Sequence, residues 1–130
     1  MSLEERIIVR LYDEEKCFGP GMEELLERVK VHHSLRAAAM SMQMAYSKAW
    51  TIIRRAEDAM GFRLLVSATG GRGGGGAVLT PEAELLVKQY RSYQQDLAAY
   101  AHTRFPEYFR AFLSEEAAAP PTDGKEKTPC

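Results

Sequence analysis

The fold is decided by residues 62–81, which read FRLLVSATGGRGGGGAVLTP. Residues 62–67 and 77–79 are short and largely apolar, with β-branched side chains in each, which is typical of β-strands. The glycine-rich segment 68–76 lies between them. A strand, a loop and a second strand predict a β-hairpin.

The glycine-rich segment has three interpretations. A phosphate-binding P-loop requires the pattern GxxxxGK[ST], and a dinucleotide-binding fingerprint requires a helix directly after the glycines; the sequence meets neither condition. A flexible linker is the remaining alternative, but the position between two strands favours a wing, a hairpin that contacts DNA. Arg72, Gly73 and Gly74 would then contact DNA, because arginine can enter a groove and glycine lets backbone amides approach phosphates.

A long helix is predicted after the hairpin. Thr80 can cap its N-terminus, Pro81 suits the first helical position, and the helix should reach about Arg104 before Pro106 breaks it. A stripe with spacings of 4, 3, 4 and 3 runs along it, formed by Leu86, Tyr90, Tyr93, Leu97 and Tyr100. This spacing is typical of a seam between paired helices, so we predict a homodimer. The alternative is that the stripe belongs to the chain's own core.

One strand and three helices are predicted before the hairpin. Residues 6–12 are β-branched and aromatic and predict the strand, and apolar residues at 22, 25, 26 and 29 predict an amphipathic helix. Ser34 can cap a short second helix over residues 35–42, and a third helix should cover residues 45–60 and end at Gly61. The fold class is therefore mainly α with a small β-hairpin wing: a winged helix-turn-helix with a long C-terminal dimerisation helix.

The third helix is the candidate recognition helix, the element that such folds place in the major groove of DNA. Its apolar and polar side chains fall on opposite sides. The side chains that we predict to contact DNA are Tyr46, Ser47, Lys48, Thr51, Arg54 and Arg55. Cations can meet phosphates, hydroxyls can donate to phosphates or bases, and Thr51 can touch a thymine methyl. Trp50, at the border of the two sides, is predicted to be core. The alternative is an ordinary solvated helix face.

The charge pattern supports this interpretation even though the net charge of the chain is -1. Residues 32–80 contain six basic residues and only two acidic ones, which gives this segment a net charge of +4. The flanking segments are both acidic. The positive charge is therefore concentrated where the recognition helix and the wing are predicted, as a DNA-binding surface requires.

Other functional classes find little support in the sequence. No carboxylate pair, nucleophile with its base, or metal-ligand spacing is apparent, so we predict no enzyme activity, no metal and no cofactor. We find neither a secretory signal nor a membrane span, and we expect a cytoplasmic protein. Residues 1–113 should form one DNA-binding domain with its linker helix, and residues 114–130 a disordered tail.

A family resemblance follows from particular stretches of the sequence. The segments at residues 18–26, 34–38 and 45–50, and above all the wing ATGGRGGGGAVLT at 68–80, resemble the N-terminal domain of ModE-type, molybdate-responsive transcription regulators. A more distant similarity links residues 61–65 and 79–81 to the LysR-type DNA-binding domain. The resemblance covers roughly residues 5–100.

This resemblance implies a dimer that binds a two-fold site on double-stranded DNA, with recognition helices in major grooves and wings at the flanking minor grooves. In that family molybdate is sensed by C-terminal domains, for which residues after Leu113 show no pattern, so we expect this chain not to bind molybdate. His33 and Ala45 depart from the family's glycine and serine. The departure at Ala45 removes a cap or a phosphate contact worth about 1 kcal/mol. The alternative function is a protein-interaction module that keeps the fold but binds DNA weakly or not at all.

Overall fold

The computed structural model describes residues 3–68 and 76–113. In chain order its elements are β1 (Leu11–Asp13), β2 (Glu15–Phe18), α1 (Pro20–His32), α2 (Leu35–Ser41), α3 (Tyr46–Met60), β3 (Leu65–Ala68), β4 (Gly76–Leu79), α4 (Pro81–Phe109) and a 3-10 turn at Arg110–Phe112. Three helices, a hairpin and a long helix follow one another as predicted. The mainly α winged helix-turn-helix fold is confirmed.

The described chain divides into two units. One is Ile8–Tyr90, which contains β1 to β4, α1 to α3 and the first part of α4; the other consists of residues 3–7 and 91–113. The core of the first unit is built from aliphatic and aromatic side chains that are at most 1% exposed, the largest being Phe18, Leu25, Leu26, Val29 and Leu64. The predicted tail at residues 114–130 lies outside the described residues.

The N-terminal strand lies further along the chain than predicted. Residues 6–10 are not in a strand; β1 begins at Leu11 and pairs antiparallel with β2, which the sequence did not predict. Glu14 makes the tight turn between them with a positive φ of 73°. In the segment before β1, the carbonyl of Val9 accepts a hydrogen bond from Tyr90 Oη at 2.6 Å.

The helices α1, α2 and α3 pack through small and aliphatic side chains. The four predicted apolar positions of α1 are all buried, as are Ala38, Ala39, Ala49 and Ala56, which are 0% exposed and allow close approach of the helices. Ser34 caps α2 as predicted, because its Oγ accepts a hydrogen bond from Ala37 N at 3.0 Å. Gly61 ends α3 in the left-handed conformation, also as predicted.

The hairpin β3–β4 is fastened to the helices at its base. Its strands pair in register from Leu65 opposite Leu79 to Ala68 opposite Gly76. Ala77 N donates to the carbonyl of His33, the left-handed residue that ends α1, at 3.0 Å. These contacts hold the base of the predicted wing beside the helices.

Thr80 joins the end of the hairpin to the start of α4. Its Oγ1 accepts a hydrogen bond from Ala83 N at 3.0 Å, which confirms the predicted helix cap. The same hydroxyl donates to the carbonyl of Arg63 at 2.7 Å, and the backbone N–H of Thr80 donates to the carbonyl of Leu64 at 3.0 Å. Thr80 thus forms hydrogen bonds both with the segment before β3 and with the first turn of α4.

The helix α4 does not stop before Pro106 as predicted, but continues to Phe109. Proline removes one backbone donor near the end of a helix. Two contacts span that position: Arg104 Nε lies 3.0 Å from Glu107 Oε1, and the rings of Phe105 and Phe109 stack with centroids 4.8 Å apart. These contacts hold the last turn in place despite the missing hydrogen bond. Within residues 3–68 and 76–113, no helix combines the length and apolar character that crossing a membrane requires.

Candidate nucleic-acid interface

The outward face of α3 carries the side chains that the sequence predicted for DNA contact. Ala49, Ile53 and Ala56 turn inward and are buried. Five of the predicted contact residues are exposed, namely Ser47, Lys48, Thr51, Arg54 and Arg55, and Tyr46 is half-buried. The segregation follows from the helical period, which puts residues three, four and seven apart on one side.

The exposed residues of α3 do not form one uniform patch. Arg54 lies towards the hairpin, where it lines a cavity with hairpin residues, whereas Arg55 lies towards the β1–β2 turn, with its Nε 4.0 Å from Glu15 Oε1. This Arg55 pair is solvent-exposed and therefore contributes little to stability. The two adjacent arginines thus point in different directions from the exposed face of α3.

Thr51 lies on the exposed face of α3, one turn after Ser47. Its Oγ1 donates a hydrogen bond to the carbonyl of Ser47 at 3.0 Å. The hydroxyl hydrogen is therefore used within the helix, which leaves the methyl group of Thr51 to make an apolar contact. This arrangement suits the predicted contact with a thymine methyl better than donation to a base edge.

Two arginines are stacked on aromatic rings beside the hairpin. The guanidinium carbon of Arg36, in α2, lies 4.2 Å from the ring centroid of Tyr46, and that of Arg54 lies 4.6 Å from the ring of Trp50. In such cation–π contacts the guanidinium is attracted to the face of the aromatic ring. The sequence had assigned Trp50 to the core, but its side chain is 39% exposed, and the stack with Arg54 explains its position at the surface.

A cavity of about 490 Å³ opens between α2, α3 and the hairpin. Both stacked pairs line it, and Arg63 lines it from the segment before β3. Sequence reasoning missed Arg36 and Arg63 as site residues. Their membership of the basic segment 32–80 was the available signal, but it did not show that they face the same space as α3.

Glu57 is a buried carboxylate at the base of this cavity, only 8% exposed. Its Oε2 accepts hydrogen bonds from Leu64 N at 2.8 Å and from Leu65 N at 3.4 Å. Arg63 Nε lies 3.5 Å from Oε2, and Arg54 Nε lies 4.0 Å from Oε1. Glu57 therefore ties α3 to the first strand of the hairpin and holds two arginines near the cavity.

The start of α3 lacks a side-chain cap. Ala45 occupies the N-cap position in an extended conformation with no side-chain hydrogen bond, as its departure from the family pattern predicted. The first turn of α3 also contains no acidic residue. The N-terminal end of the helix dipole therefore has no negative side chain from this turn, which favours an external anion there.

The wing residues Arg72, Gly73 and Gly74 lie outside the described residues, and their assignment to DNA contact stays a prediction. The described base of the hairpin has Val66 and Val78 paired across the two strands, and these side chains are 39% and 42% exposed.

Among the described residues, no group of three His, Cys, Asp or Glu side chains could hold a metal ion.

The predicted dimer stripe is only partly available on α4. Tyr93 and Tyr100 are 54% and 63% exposed, and Leu86 and Leu97 are half-buried. Tyr90 requires a correction: it is 5% exposed, meets Phe18 edge-on with ring centroids 5.0 Å apart and hydrogen-bonds Val9. Tyr90 therefore belongs to the intramolecular core, because its position on α4 brings it over α1 and β2 and not towards solvent.

A helix-turn-helix followed by a β-hairpin, with an outward basic helix face, defines a winged helix-turn-helix module. The comparison with known families is more specific. The bacterial regulatory helix-turn-helix proteins of the lysR family match residues 24–84, and these residues are a LysR-type helix-turn-helix domain. The match runs from α1 through α2, α3 and the hairpin into the start of α4, so it covers the candidate interface.

Curated relatives resemble the N-terminal part of the chain. The DNA-binding transcriptional dual regulator ModE of Escherichia coli (strain K12) is 32% identical over 89 residues, which are 68% of this chain and 34% of that protein. The molybdenum-pterin-binding protein MopB of Rhodobacter capsulatus is 34% identical over 65 residues, 50% of this chain and 24% of that protein. The molybdenum transport protein ModE of Herbaspirillum seropedicae is 32% identical over 78 residues, 60% of this chain and 29% of that protein. The chain thus spans about a third or less of the length of these relatives.

Proposed function

We propose that this chain is a sequence-specific, DNA-binding transcription regulator of ModE type, which places α3 in the major groove of double-stranded DNA. The observation that carries the proposal is the outward face of α3, where exposed hydroxyls and cations stand beside an arginine-lined cavity at the hairpin. The LysR-type domain supports it, and so does the similarity to the DNA-binding transcriptional dual regulator ModE of Escherichia coli.

The electrostatics of the interface favour a polyanion. Lys48 and Arg55 are seven residues, or about two helical turns, apart on one side of α3. Arg36 lies on the other side, over the ring of Tyr46. A helix that enters a major groove has a phosphate backbone on each side, so cations are useful on both flanks. The uncapped N-terminus of α3 adds backbone N–H groups that can donate to a phosphate.

We further propose that the chain acts as a dimer and binds a two-fold site. Tyr93, Leu97 and Tyr100 retain the spacing of a helix seam on the part of α4 after Tyr90, and both tyrosines are exposed. A two-fold protein reads two half-sites, so the DNA sequences that it selects should be inverted repeats. The participation of Leu86 stays a prediction.

The test is to select bound fragments of the parent genome with the full chain and to measure affinity for them by fluorescence anisotropy. We expect an enriched inverted repeat, and we expect Arg55→Ala to weaken binding. Lys88→Ala is the matched control, because Lys88 is an exposed cation on α4, away from α3. Sedimentation equilibrium on the same sample should give a dimer.

Two results would contradict the proposal. One is no enrichment of any fragment. The other is equal loss of affinity in the Arg55 and Lys88 variants, which would mean that overall charge alone governs binding. Purification with a stoichiometric protein partner, together with undetectable DNA binding, would instead select the interaction-module alternative, for which the exposed aromatic side chains Tyr93, Tyr100, Tyr108 and Phe112 provide a surface.

A further inference from the structure

Trp50 occupies an unusual place for a tryptophan, on the outward face of the helix that we assign to the major groove. A buried tryptophan contributes a large apolar surface to a core, yet this side chain is 39% exposed. The neighbouring buried positions Ala49 and Ile53 already fill the inward side of α3. Part of the Trp50 side chain is therefore available for contacts outside the core.

Arg54, one turn later, is held from two directions. Its guanidinium lies 4.6 Å from the ring centroid of Trp50, and its Nε lies 4.0 Å from Oε1 of Glu57. The carboxylate of Glu57 is itself fixed in position, because the backbone N–H groups of Leu64 and Leu65 donate hydrogen bonds to it. The side chain of Arg54 nevertheless remains 57% exposed, so its guanidinium is accessible to a ligand while it contacts Trp50 and Glu57.

The position of Arg54 on α3 favours contact with a base over contact with a phosphate. Ser47, Trp50, Thr51 and Arg54 follow the i, i+3, i+4, i+7 pattern and form a single stripe along the helix, which we call the central stripe. Cations stand on both sides of it, with Lys48 and Arg55 on one side and Arg36 on the other. When flanking cations meet the two phosphate backbones, the central stripe faces the base edges.

We propose that Arg54, which lies over the ring of Trp50, reads a guanine in the major groove, and that Trp50 is a positioning residue for this contact. The inference rests on the proposed function and names the base that the same site recognises. Arginine pairs with the O6 and N7 acceptors of guanine through two parallel N–H donors. A guanidinium that already has contacts on its own chain, as Arg54 has with Trp50 and Glu57, loses less conformational freedom on forming that pair than an unsupported arginine does.

The test begins with selection from randomised duplexes by the wild-type chain, followed by the same selection with Arg54→Ala, Trp50→Leu, Trp50→Phe and Lys48→Ala. We expect one guanine position per half-site to lose its preference in Arg54→Ala and in Trp50→Leu, while the other positions keep theirs. Trp50→Phe should restore the preference, since it keeps an aromatic ring for the stack. Lys48→Ala should weaken all sequences alike.

A modified base then tests the contact directly. Replacing the affected guanine by 7-deazaguanine removes the N7 acceptor, and we expect it to lower the affinity of the wild-type chain about ten-fold. The affinity of Arg54→Ala should not change, because that variant has no partner for N7. Circular dichroism of each variant confirms that the helices are intact.

The outcomes separate this inference from the proposed function. If the wild-type chain selects a site but Arg54→Ala keeps every base preference, or loses affinity uniformly, Arg54 does not read a base and the inference is overturned while DNA binding stands. If Trp50→Leu leaves the guanine preference intact, the positioning role is overturned. If the wild-type chain selects no sequence at all, the proposed function is overturned and this inference with it.

Discussion

Replacing Glu57 by alanine tests how the hairpin is fastened to the recognition helix. The carboxylate accepts a hydrogen bond from the buried Leu64 N–H at 2.8 Å, and a bond to a charged group contributes about 1.5–3 kcal/mol. The bond to Leu65 N is long at 3.4 Å, and the two arginine partners are exposed, so these contacts add about 0–1 kcal/mol. We expect Glu57→Ala to lower the free energy of unfolding by about 1.5–4 kcal/mol.

The assay is urea unfolding followed by circular dichroism, with linear extrapolation to water. Glu57→Gln keeps an oxygen that can accept from Leu64 N but loses the charge, so its loss should be smaller, about 1–2 kcal/mol. Asp58→Ala is the matched control: Asp58 is the next residue and is exposed, so its replacement should change stability by less than about 0.5 kcal/mol. A Glu57→Ala variant within about 0.5 kcal/mol of the wild type would refute the reasoning.

Three further predictions concern the cap, the hairpin base and the core tyrosine. Ala45→Ser should supply the missing cap of α3 and raise the free energy of unfolding by about 1 kcal/mol, and an unchanged melting temperature would contradict it. Gly76→Ala should cost about 1–3 kcal/mol in urea unfolding, because its Cβ would lie 3.2 Å from Ala68 Cβ and 3.3 Å from the carbonyl of His33, whereas Gly21→Ala, which meets nothing within 4 Å, should cost nothing. Burial, with a smaller effect of Glu23, raises the pKa of Tyr90 above its ordinary value, so the folded chain keeps a proton that the unfolded chain loses. That stabilisation is complete below about pH 10 and is lost as the pH rises through the folded pKa; Tyr90→Phe should flatten this alkaline decline in stability, and an unchanged decline would contradict the prediction.

The elements were predictable where their signals are short-range. The caps at Ser34 and Thr80 and the end of α3 at Gly61 depend on residues within a few positions of the helix ends, and all three were confirmed. The amphipathic pattern of α3 likewise predicted which of its side chains are exposed. These features are local, so the sequence alone contains them.

The rest depends on contacts between distant segments. Tyr90 looked like a seam residue by spacing, but its neighbours Val9 and Phe18 are more than 70 positions away along the chain. Trp50 looked like core until the stack with Arg54 was visible, and the role of Glu57 depends on the hairpin folding back against α3. The periodicity of a helix predicts which residues share a face, but it does not predict which distant segments pack against that face.

The most direct test of the central claim is the affinity of the chain for a selected duplex, measured by fluorescence anisotropy over a range of salt concentrations. If α3 binds DNA as proposed, the logarithm of the association constant falls linearly with the logarithm of salt concentration. Lys48→Ala should make that slope shallower by about 0.9, whereas Lys88→Ala should leave it unchanged. No detectable binding, an affinity independent of salt, or the same slope in the wild type and Lys48→Ala would contradict the account.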